Sequence, residues 1–410
     1  MLSLVFFSIF LFWISFFPEP IQGKYWIYTV IFLVVSSVGL ILDKKVRKLL
    51  FTLNDWRLWL FAISLLAGTV NALDKNIACK IYFEIIFILI LLYYFGKGLL
   101  VRDEQGSKIS VIFCLGGLTV AFIGLLELYF GKNILYENFI ENYFYKRYVS
   151  VGRLMSTQLN PVILGTYLLG CFPFGLILLK NKSIYLRSLG IASLLLSAFV
   201  IIFTFSRGVL LGFTAMVIFY LWQEHKQKLL KIFIILVIGV VVFCTFQENN
   251  NLSRFGFQRF ISGSNDSVFS EYRLARIRMT FKMLKDHPFF GVGLNNFRIR
   301  FGEYCSKSDI DEIDEFRIPD NMYLTLLAET GLTGITGFLL FIGFLLKTGL
   351  KKIKKRPMAT REILLASLAS LVGLLVNMGA YDLFYWRNPL MLFCLFCGFI
   401  AAKVSIKDNG

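Results

Sequence analysis

Residues 185–222 read YLRSLGIASLLLSAFVIIFT, then FSR, then GVLLGFTAMVIFYLW. Tyr185–Thr204 carries one charge, Arg187, and Gly208–Trp222 carries none. Runs of roughly 17 to 25 apolar residues match the thickness of a bilayer's hydrocarbon core. Neither run alternates polar with apolar residues as a barrel strand does, so each reads as a helix whose backbone is bonded within itself. The break between them, Phe205-Ser206-Arg207, is too short for anything but a tight turn. Two membrane helices joined at one face of a bilayer are the pattern that the rest of the chain repeats.

Outward from this hairpin, the runs Leu2–Phe17, Tyr25–Leu42, Trp56–Val70, Ile77–Phe95, Ile109–Phe130 and Pro161–Leu179 precede it, and Leu229–Phe246, Met322–Leu346, Ile363–Ala380 and Pro389–Val404 follow. The fold class expected is an all-α polytopic membrane protein of about 12 transmembrane helices. The first, third and eighth runs are short for a bilayer, so ten or eleven crossings stay open. Composition agrees: of 410 residues 57% are hydrophobic and 17% charged, more apolar surface than one soluble core of this size can cover. Leu2–Phe17 lacks the basic start and small-residue cleavage site of a signal peptide and reads as a retained span.

Net charge is +17, which on a soluble protein would suggest nucleic acid. Here the cations lie between apolar runs and follow the positive-inside rule. With the N-terminus inside, the inner connections hold Lys44, Lys45, Arg47, Lys48 and Arg57, then Lys97, Arg102 and Lys108, then Lys180, Lys182 and Arg187, then Lys226, Lys228 and Lys231. The tenth connection is richest, from Lys347 through Arg356 to Arg361, while the short outer ones hold Lys24, Lys75, Arg207 and Arg387. Both termini are then cytoplasmic. Six of the seven cysteines lie in or beside apolar runs; Cys394 and Cys397 form a CxxC with no second pair or nearby His, so no metal site is expected.

Two outer connections are long, 133–160 and 247–320. The domain reading is therefore 1–246 with nine spans, 247–321 as a large outer loop, and 322–410 with three spans and a cytoplasmic tail. A long loop on a rigid scaffold is where function concentrates. Within it, Glu271–Asp286 reads as a helix with Leu274, Ile277, Phe281 and Leu284 on one stripe. Arg273 and Arg276 flank that stripe on one side, and Arg278, Lys282 and Lys285 on the other, which suits a helix lying in the headgroup layer. Its cations either snorkel, or Arg273 or Arg276 grips an anionic headgroup.

Arg207 is the residue with the sharpest chemical implication. Arginine this close to hydrocarbon is costly unless it has a partner or a wet cavity, and guanidinium suits bidentate phosphate. It either snorkels or binds a ligand that Gly208 lets approach. Arg153, in Gly152-Arg153-Leu154 before Asn160-Pro161, is a second arginine at the same depth, and together they suggest a diphosphate site. Asp320, just before the tenth span in Pro319-Asp320-Asn321-Met322-Tyr323, is either a helix N-cap or a general base at the mouth of an outward cavity. Glu329 follows within that span, and Gly331 and Gly334 would permit close packing. His287, in His287-Pro288-Phe289-Phe290-Gly291-Val292-Gly293, has no further ligands for a metal and reads as a cap on the turn; His225 lies in an inner loop. The acidic stretch with Glu303, Asp309, Asp311, Glu312, Asp314 and Glu315 reads as a solvated loop. No Walker or GxGxxG motif is present, so no nucleotide or other cofactor is expected.

These motifs, in this order and topology, resemble the O-antigen ligase and O-antigen polymerase family of bacterial envelope glycosyltransferases. The family shows Ser-Arg-Gly between two spans, as at Ser206-Arg207-Gly208. It shows His-Pro, two variable residues and Gly-x-Gly, as at His287–Gly293. Its His followed by Asn, Ser or Gln, nine residues, then Gly-x-x-Gly is matched by Asp320-Asn321 and Gly331-Leu332-Thr333-Gly334. The departure is Asp320 where the ligases carry histidine, a position assigned to activating the acceptor hydroxyl or contacting the donor diphosphate. Aspartate suits the first role and would repel in the second, so a polysaccharide polymerase or a ligase with another acceptor fits as well as an O-antigen ligase.

The resemblance implies an undecaprenyl-diphosphate-linked glycan donor, a glycan or lipid-linked acceptor, the cytoplasmic (inner) membrane as location, and work alongside other envelope-glycan assembly proteins in lipopolysaccharide or other polysaccharide biosynthesis. The residues themselves supply a mechanism consistent with it: Arg207 and Arg153, helped by Arg276 and Arg273, hold the diphosphate, Asp320 acts as base, and no metal is needed because arginine can take the charge of a leaving group that is already a diphosphate. The alternative is a lipid-linked oligosaccharide flippase, which would also need arginines. Transporters show internal repeats and charges within spans. No repeat is evident, and such charges are few: Glu84, Glu127, Glu329 and Asp382.

Overall fold

The structure, a computed structural model, describes residues 2–16, 55–100, 106–137, 152–231, 267–305, 318–353 and 358–402. Among these every regular element is helical and there is no strand. The helices are α1 (Leu2–Phe16), α2 (Trp56–Leu66), α3 (Lys75–Leu99), α4 (Gly106–Phe130), α5 (Pro161–Leu178), α6 (Ile184–Phe203), α7 (Arg207–Gln223), α8 (Ser267–Asp286), α9 (Phe297–Tyr304), α10 (Met322–Ile353), α11 (Met358–Asn377) and α12 (Arg387–Ala401).

Among the described residues, six stretches are long and apolar enough to cross a bilayer: α3, α4, α5, α6, α10 and Thr360–Ala380, which is α11 with its 3-10 extension. Four shorter apolar helices accompany them, at Val5–Phe16, Trp56–Thr69, Arg207–Gln223 and Arg387–Ala401. Ten of the twelve expected spans correspond to these helices. Tyr25–Leu42, and Leu229–Phe246 beyond residue 231, lie outside the described residues.

Why these helices start where they do is local chemistry. Asp74 Oδ1 accepts the Ile77 N–H at 3.0 Å to cap α3. Asn160 Oδ1 accepts from Val162 at 2.8 Å and Ile163 at 3.3 Å, with Pro161 as the first residue of α5. A side-chain acceptor at the N-cap satisfies amides that the first turn cannot. α5 is the central helix, packed on α4, α6, α7, α11 and α12. It tolerates Pro173 in its interior because neighbouring helices, not lipid, cover the disturbed turn. Helices in lipid are held by close packing, and the core here is aromatic: Phe113 stacks on Phe174 at 4.1 Å, and Phe61 on Phe341 at 5.3 Å.

The bundle has two ends of opposite character. At one, Lys180 pairs with Glu224 at 2.8 Å and Glu362 at 3.3 Å, and Arg361 with Glu224 at 3.3 Å. Lys352 there donates to the carbonyls of Ile400, Ala401 and Ala402, each at 3.0 Å. These are residues of the basic connections. At the other end, the connections that positive-inside counting assigns to the outside hold one another. The Asp74 N–H donates to Asn296 Oδ1 at 2.8 Å, Asn133 Nδ2 to the Ser156 carbonyl at 2.7 Å, and the Asn295 N–H to the Tyr385 hydroxyl at 3.0 Å. Of the six non-glycine residues with positive φ among the described residues, all but His225 lie at this second end: Ser156, Leu159, Phe205, Asn295 and Asp320. Backbone strain of this kind gathers where the surrounding structure has a task for it.

Candidate functional site at the strained end of the bundle

The start of α10 settles which residue caps the helix. Asn321 Oδ1 accepts the N–H groups of Tyr323 at 3.0 Å and Leu324 at 3.2 Å. The cap is therefore Asn321, and the N-cap role weighed for Asp320 is corrected. Asp320 lies one residue earlier in the left-handed region, with φ 52°, a conformation aspartate tolerates better than most residues. Its carboxylate is thereby free of the helix and pairs with Arg276 Nη1 from α8.

That pair corrects the expectation for α8. The helix runs Ser267–Asp286, four residues longer at its start than expected. Leu274, Ile277 and Phe281 are exposed, as a stripe facing lipid or headgroups requires. Ala275, Met279 and Met283 instead face the protein and pack with Val292, Phe297, Phe301 and Ala328. Arg276 lies on this inner face and is only 6% exposed, so it is not a snorkelling cation at the headgroups. Arg278, Lys282 and Lys285 are exposed. For Arg273 the backbone is helical and the side chain lies outside the described residues.

Behind Asp320 sits a residue that the sequence marked only as one of a few charges within spans. Asp382 is 2% exposed and accepts a hydrogen bond from the Thr325 hydroxyl. Burial pushes its carboxyl up to about 7; the Thr325 hydroxyl opposes the rise, the neighbouring Asp320 carboxylate adds to it, and the amides of Asp320 and Asn321 oppose it. Two carboxyl groups and one guanidinium thus share a small volume at the head of α10.

The two glycine motifs meet each other directly. α10 breaks at Gly331, where φ is 62° and ψ −162°. The break frees groups on both sides, and the turn after α8 takes them. Val292 N–H donates to the Ala328 carbonyl at 2.9 Å and Gly293 N–H to the Glu329 carbonyl at 3.0 Å. In return Leu332 N–H donates to the Pro288 carbonyl at 2.8 Å and Thr333 N–H to the Phe289 carbonyl at 3.2 Å. A Cβ on Gly331 would lie 2.5 Å from the Phe289 carbonyl, and one on Gly291 equally close to the Glu329 carbonyl oxygen. The glycines are needed because two backbones touch.

Around this clasp, buried Glu329 accepts the Phe297 N–H at 3.3 Å and the Tyr385 hydroxyl. Tyr323 donates to the Leu375 carbonyl at 2.8 Å, and Gly334 lies buried against the Thr330 side chain. The His287 ring, expected as a cap, bonds the guanidinium of Arg300 through Nε2 at 2.9 Å. Arginine can only donate, so Nε2 accepts and a neutral ring carries its proton on Nδ1. The backbone exchange with α10, and not the imidazole, holds the turn.

Arg153 and Arg207 are brought to one turn. Arg153, 8% exposed, donates from Nε to the Thr204 carbonyl at 2.9 Å, and Leu154 N–H donates to the Phe203 carbonyl at 3.2 Å. Buried Glu127 holds the strand of chain that carries Arg153, accepting from the Met155 N–H at 3.2 Å, the Ser156 N–H at 2.5 Å and Asn133 Nδ2 at 3.2 Å. Arg207 is the first residue of α7 and is exposed. Next to it, Gly208 fits against Ala380 and Asn377. That same turn is held from the other side by Asn321 Nδ2, which donates to the Gly379 carbonyl at 2.8 Å. The arginine turn and the Asp320–Asn321 turn therefore flank one 3-10 segment, Met378–Ala380. Of the acidic stretch, residues 306–317 lie outside the described residues.

No curated protein matches the chain. Residues 192–339 match the family model described as O-Antigen ligase. The match runs from α6 into α10, so it contains Arg207, Arg276, His287–Gly293, Asp320 and Gly331–Gly334, and leaves Arg153 and Asp382 outside it. Over this segment the chain is similar to the O-antigen ligase family.

Proposed function

We propose that the protein transfers an oligosaccharide or polysaccharide from undecaprenyl diphosphate to a sugar hydroxyl at the outer face of the bacterial cytoplasmic membrane. The observation that carries this reading is the Arg276–Asp320 pair beside the Arg153–Arg207 turn. Cations and a carboxylate at one end of an apolar bundle suit a reaction whose leaving group is a lipid diphosphate.

Depth supports the same reading. α7 has 17 residues and rises about 25 Å at ~1.5 Å per residue. Its far end is tied through Glu224 to Lys180 and Arg361. Arg207 then stands near the outer edge of a hydrocarbon core about 30 Å thick. A polyprenyl diphosphate presents its phosphates at that level, with its chain in the lipid. In this orientation both termini and the basic connections are cytoplasmic, and 247–321 forms the outer loop with α8 along the interface.

Arg207, Arg153 and Arg276, with Arg273 on the same helix, hold the diphosphate by bidentate contacts and take up its charge as the bond to the sugar breaks. Asp320 accepts the proton of the acceptor hydroxyl, whose oxygen attacks the anomeric carbon from the opposite face. The anomeric centre inverts, undecaprenyl diphosphate leaves, and the proton stays on Asp320 until solvent takes it. Arginine charge suffices for a leaving group that is already a diphosphate, so the step is written without a metal. His287, Gly291, Gly293, Asn321, Tyr323, Glu329, Gly331 and Gly334 support the two turns.

The test is a gene deletion complemented with wild type, Arg207→Ala or Asp320→Asn, with glycans resolved by size. Loss of a polymerase leaves single repeat units on their acceptor. Loss of a ligase leaves finished polymer on the lipid carrier, and loss of a flippase leaves repeat units inside the cell. If both variants reach the membrane at wild-type level and glycan assembly is intact, the reading is wrong.

A further inference from the structure

Arg276 and Asp320 have been given two different jobs, and the structure has them occupied with each other. Arg276 projects from the packed face of α8 and is 6% exposed, while the Asp320 side chain is 41% exposed. A buried guanidinium needs an anionic partner in every state of the protein. The structure pairs it with the Asp320 carboxylate, and an incoming phosphate would compete for the same guanidinium. A diphosphate offers more charge than a carboxylate and several oxygens to the guanidinium fork. Asp320 can give up its partner without disturbing α10, because Asn321 and not Asp320 caps that helix.

We propose that the Arg276–Asp320 pair is a latch opened by the donor. The diphosphate draws the Arg276 guanidinium from the Asp320 carboxylate, and that carboxylate becomes available to the acceptor hydroxyl only then. No covalent bond changes in this step; one ion pair is exchanged for another. Binding is therefore ordered, donor before acceptor, and the base is armed by the substrate it will act beside. This rests on the functional reading above, in which Arg276 contacts the diphosphate and Asp320 is the base.

The full-length protein in lipid nanodiscs tests it, with farnesyl diphosphate as the probe. Its affinity is measured for wild type, Asp320→Asn, Arg276→Gln and the double variant. Asparagine keeps the shape and tolerates the left-handed backbone at 320, and glutamine keeps length at 276. Releasing the latch in Asp320→Asn tightens binding by about fivefold or more, the usual range for one site coupled to another. In the Arg276→Gln background the gain disappears, because there is no guanidinium to release. No gain in Asp320→Asn overturns the latch. So does an equal gain in both backgrounds, which would be through-space repulsion alone. Glycan transfer by the same Asp320→Asn protein separates the two ideas. Tight binding with transfer intact sinks the base and keeps the latch; lost transfer without tighter binding does the reverse.

Discussion

Replacing Gly331 by alanine should cost far more than replacing Gly343, twelve residues further along the same helix. At Gly331 the backbone has φ 62° and ψ −162°. That region is open almost only to glycine and costs about 1–3 kcal/mol for other residues. The added Cβ would also lie 2.5 Å from the Phe289 carbonyl carbon and oxygen and 2.7 Å from the Gly291 nitrogen. These are backbone atoms, so no side chain can rotate away. Relief requires moving the turn after α8, and that breaks up to four hydrogen bonds with α10. At about 0.5–1.5 kcal/mol each they represent about 2–6 kcal/mol. Strain and lost bonds together put Gly331→Ala at about 3 kcal/mol or more of destabilisation. At Gly343 a Cβ meets nothing within 4 Å, and alanine there gains up to ~1 kcal/mol of helix propensity. Thermal melts of the two solubilised variants compare them directly. Trypsin adds a local readout, since displacement of α8 exposes Arg278, Lys282 and Lys285 from more sides. Equal melting and equal protease patterns for the two variants would refute the clasp as a structural element.

Three further outcomes follow from the same geometry. Asn321→Ala loses the α10 cap and about 1 kcal/mol of stability with transfer retained, whereas Asp320→Asn loses transfer and, in the absence of a diphosphate, also lowers melting because Arg276 loses its anion; paired melts and transfer assays check the division of labour. Asp382 has a folded pKa raised to about 7 from about 3.9 when unfolded, so its protonated form favours the fold at low pH and that contribution is lost as pH rises from about 4 to about 7. Asp382→Asn should flatten melting temperature across that window and raise it at pH 8, and an unchanged pH profile would count against a buried neutral carboxyl. Glu127→Ala leaves the Met155 and Ser156 amides without the carboxylate that accepts them, at about 1–3 kcal/mol each, and frees the segment that holds Arg153. Its signature is weaker binding of farnesyl diphosphate with α10 still intact, and unaltered binding would disconnect Glu127 from the site.

Hydrophobic runs made the helices legible, because length and apolarity are properties of single segments. The short first, third and eighth runs appear as α1, α2 and α7, each short. Arg207 was legible for the same reason, as a charge forced by a tight turn to the membrane boundary. What could not be read were features made by two segments at once. The left-handed backbone of Asp320 hands the cap to its neighbour, which a motif with Asp and Asn side by side does not decide. Arg276 looks like any flanking cation of an amphipathic helix until the small and sulfur-bearing residues Ala275, Met279 and Met283 are seen to face the protein. The glycines of the two motifs read as packing allowances, yet their shared purpose is a backbone exchange between α10 and a turn some forty residues earlier. Asp382 and Glu127 carried one signal, a charge counted within a span, and nothing to say which loop each would hold.

The aspartate at 320 poses an electrostatic problem that the fold answers. A carboxylate about 5 Å from a phosphate oxygen would repel it by about 3 kcal/mol at an effective dielectric near 20, enough to weaken donor binding about a hundredfold. A guanidinium at about 3 Å from the phosphate contributes about 5 kcal/mol of the opposite sign on the same scale. Arg276 is placed to supply that term, and its burial keeps it from being screened by salt. A histidine at 320, as the ligases carry, is neutral near pH 7 and creates neither the repulsion nor the pair. The two arrangements solve the same task differently. Under the proposed function, histidine would provide a base beside an anion without needing a counter-charge, whereas aspartate would need an arginine that passes to the phosphate and offsets the repulsion there. On this argument Arg276 and Asp320 form one functional unit. The substitution at 320 is intelligible only together with the packed face of α8 that delivers the guanidinium.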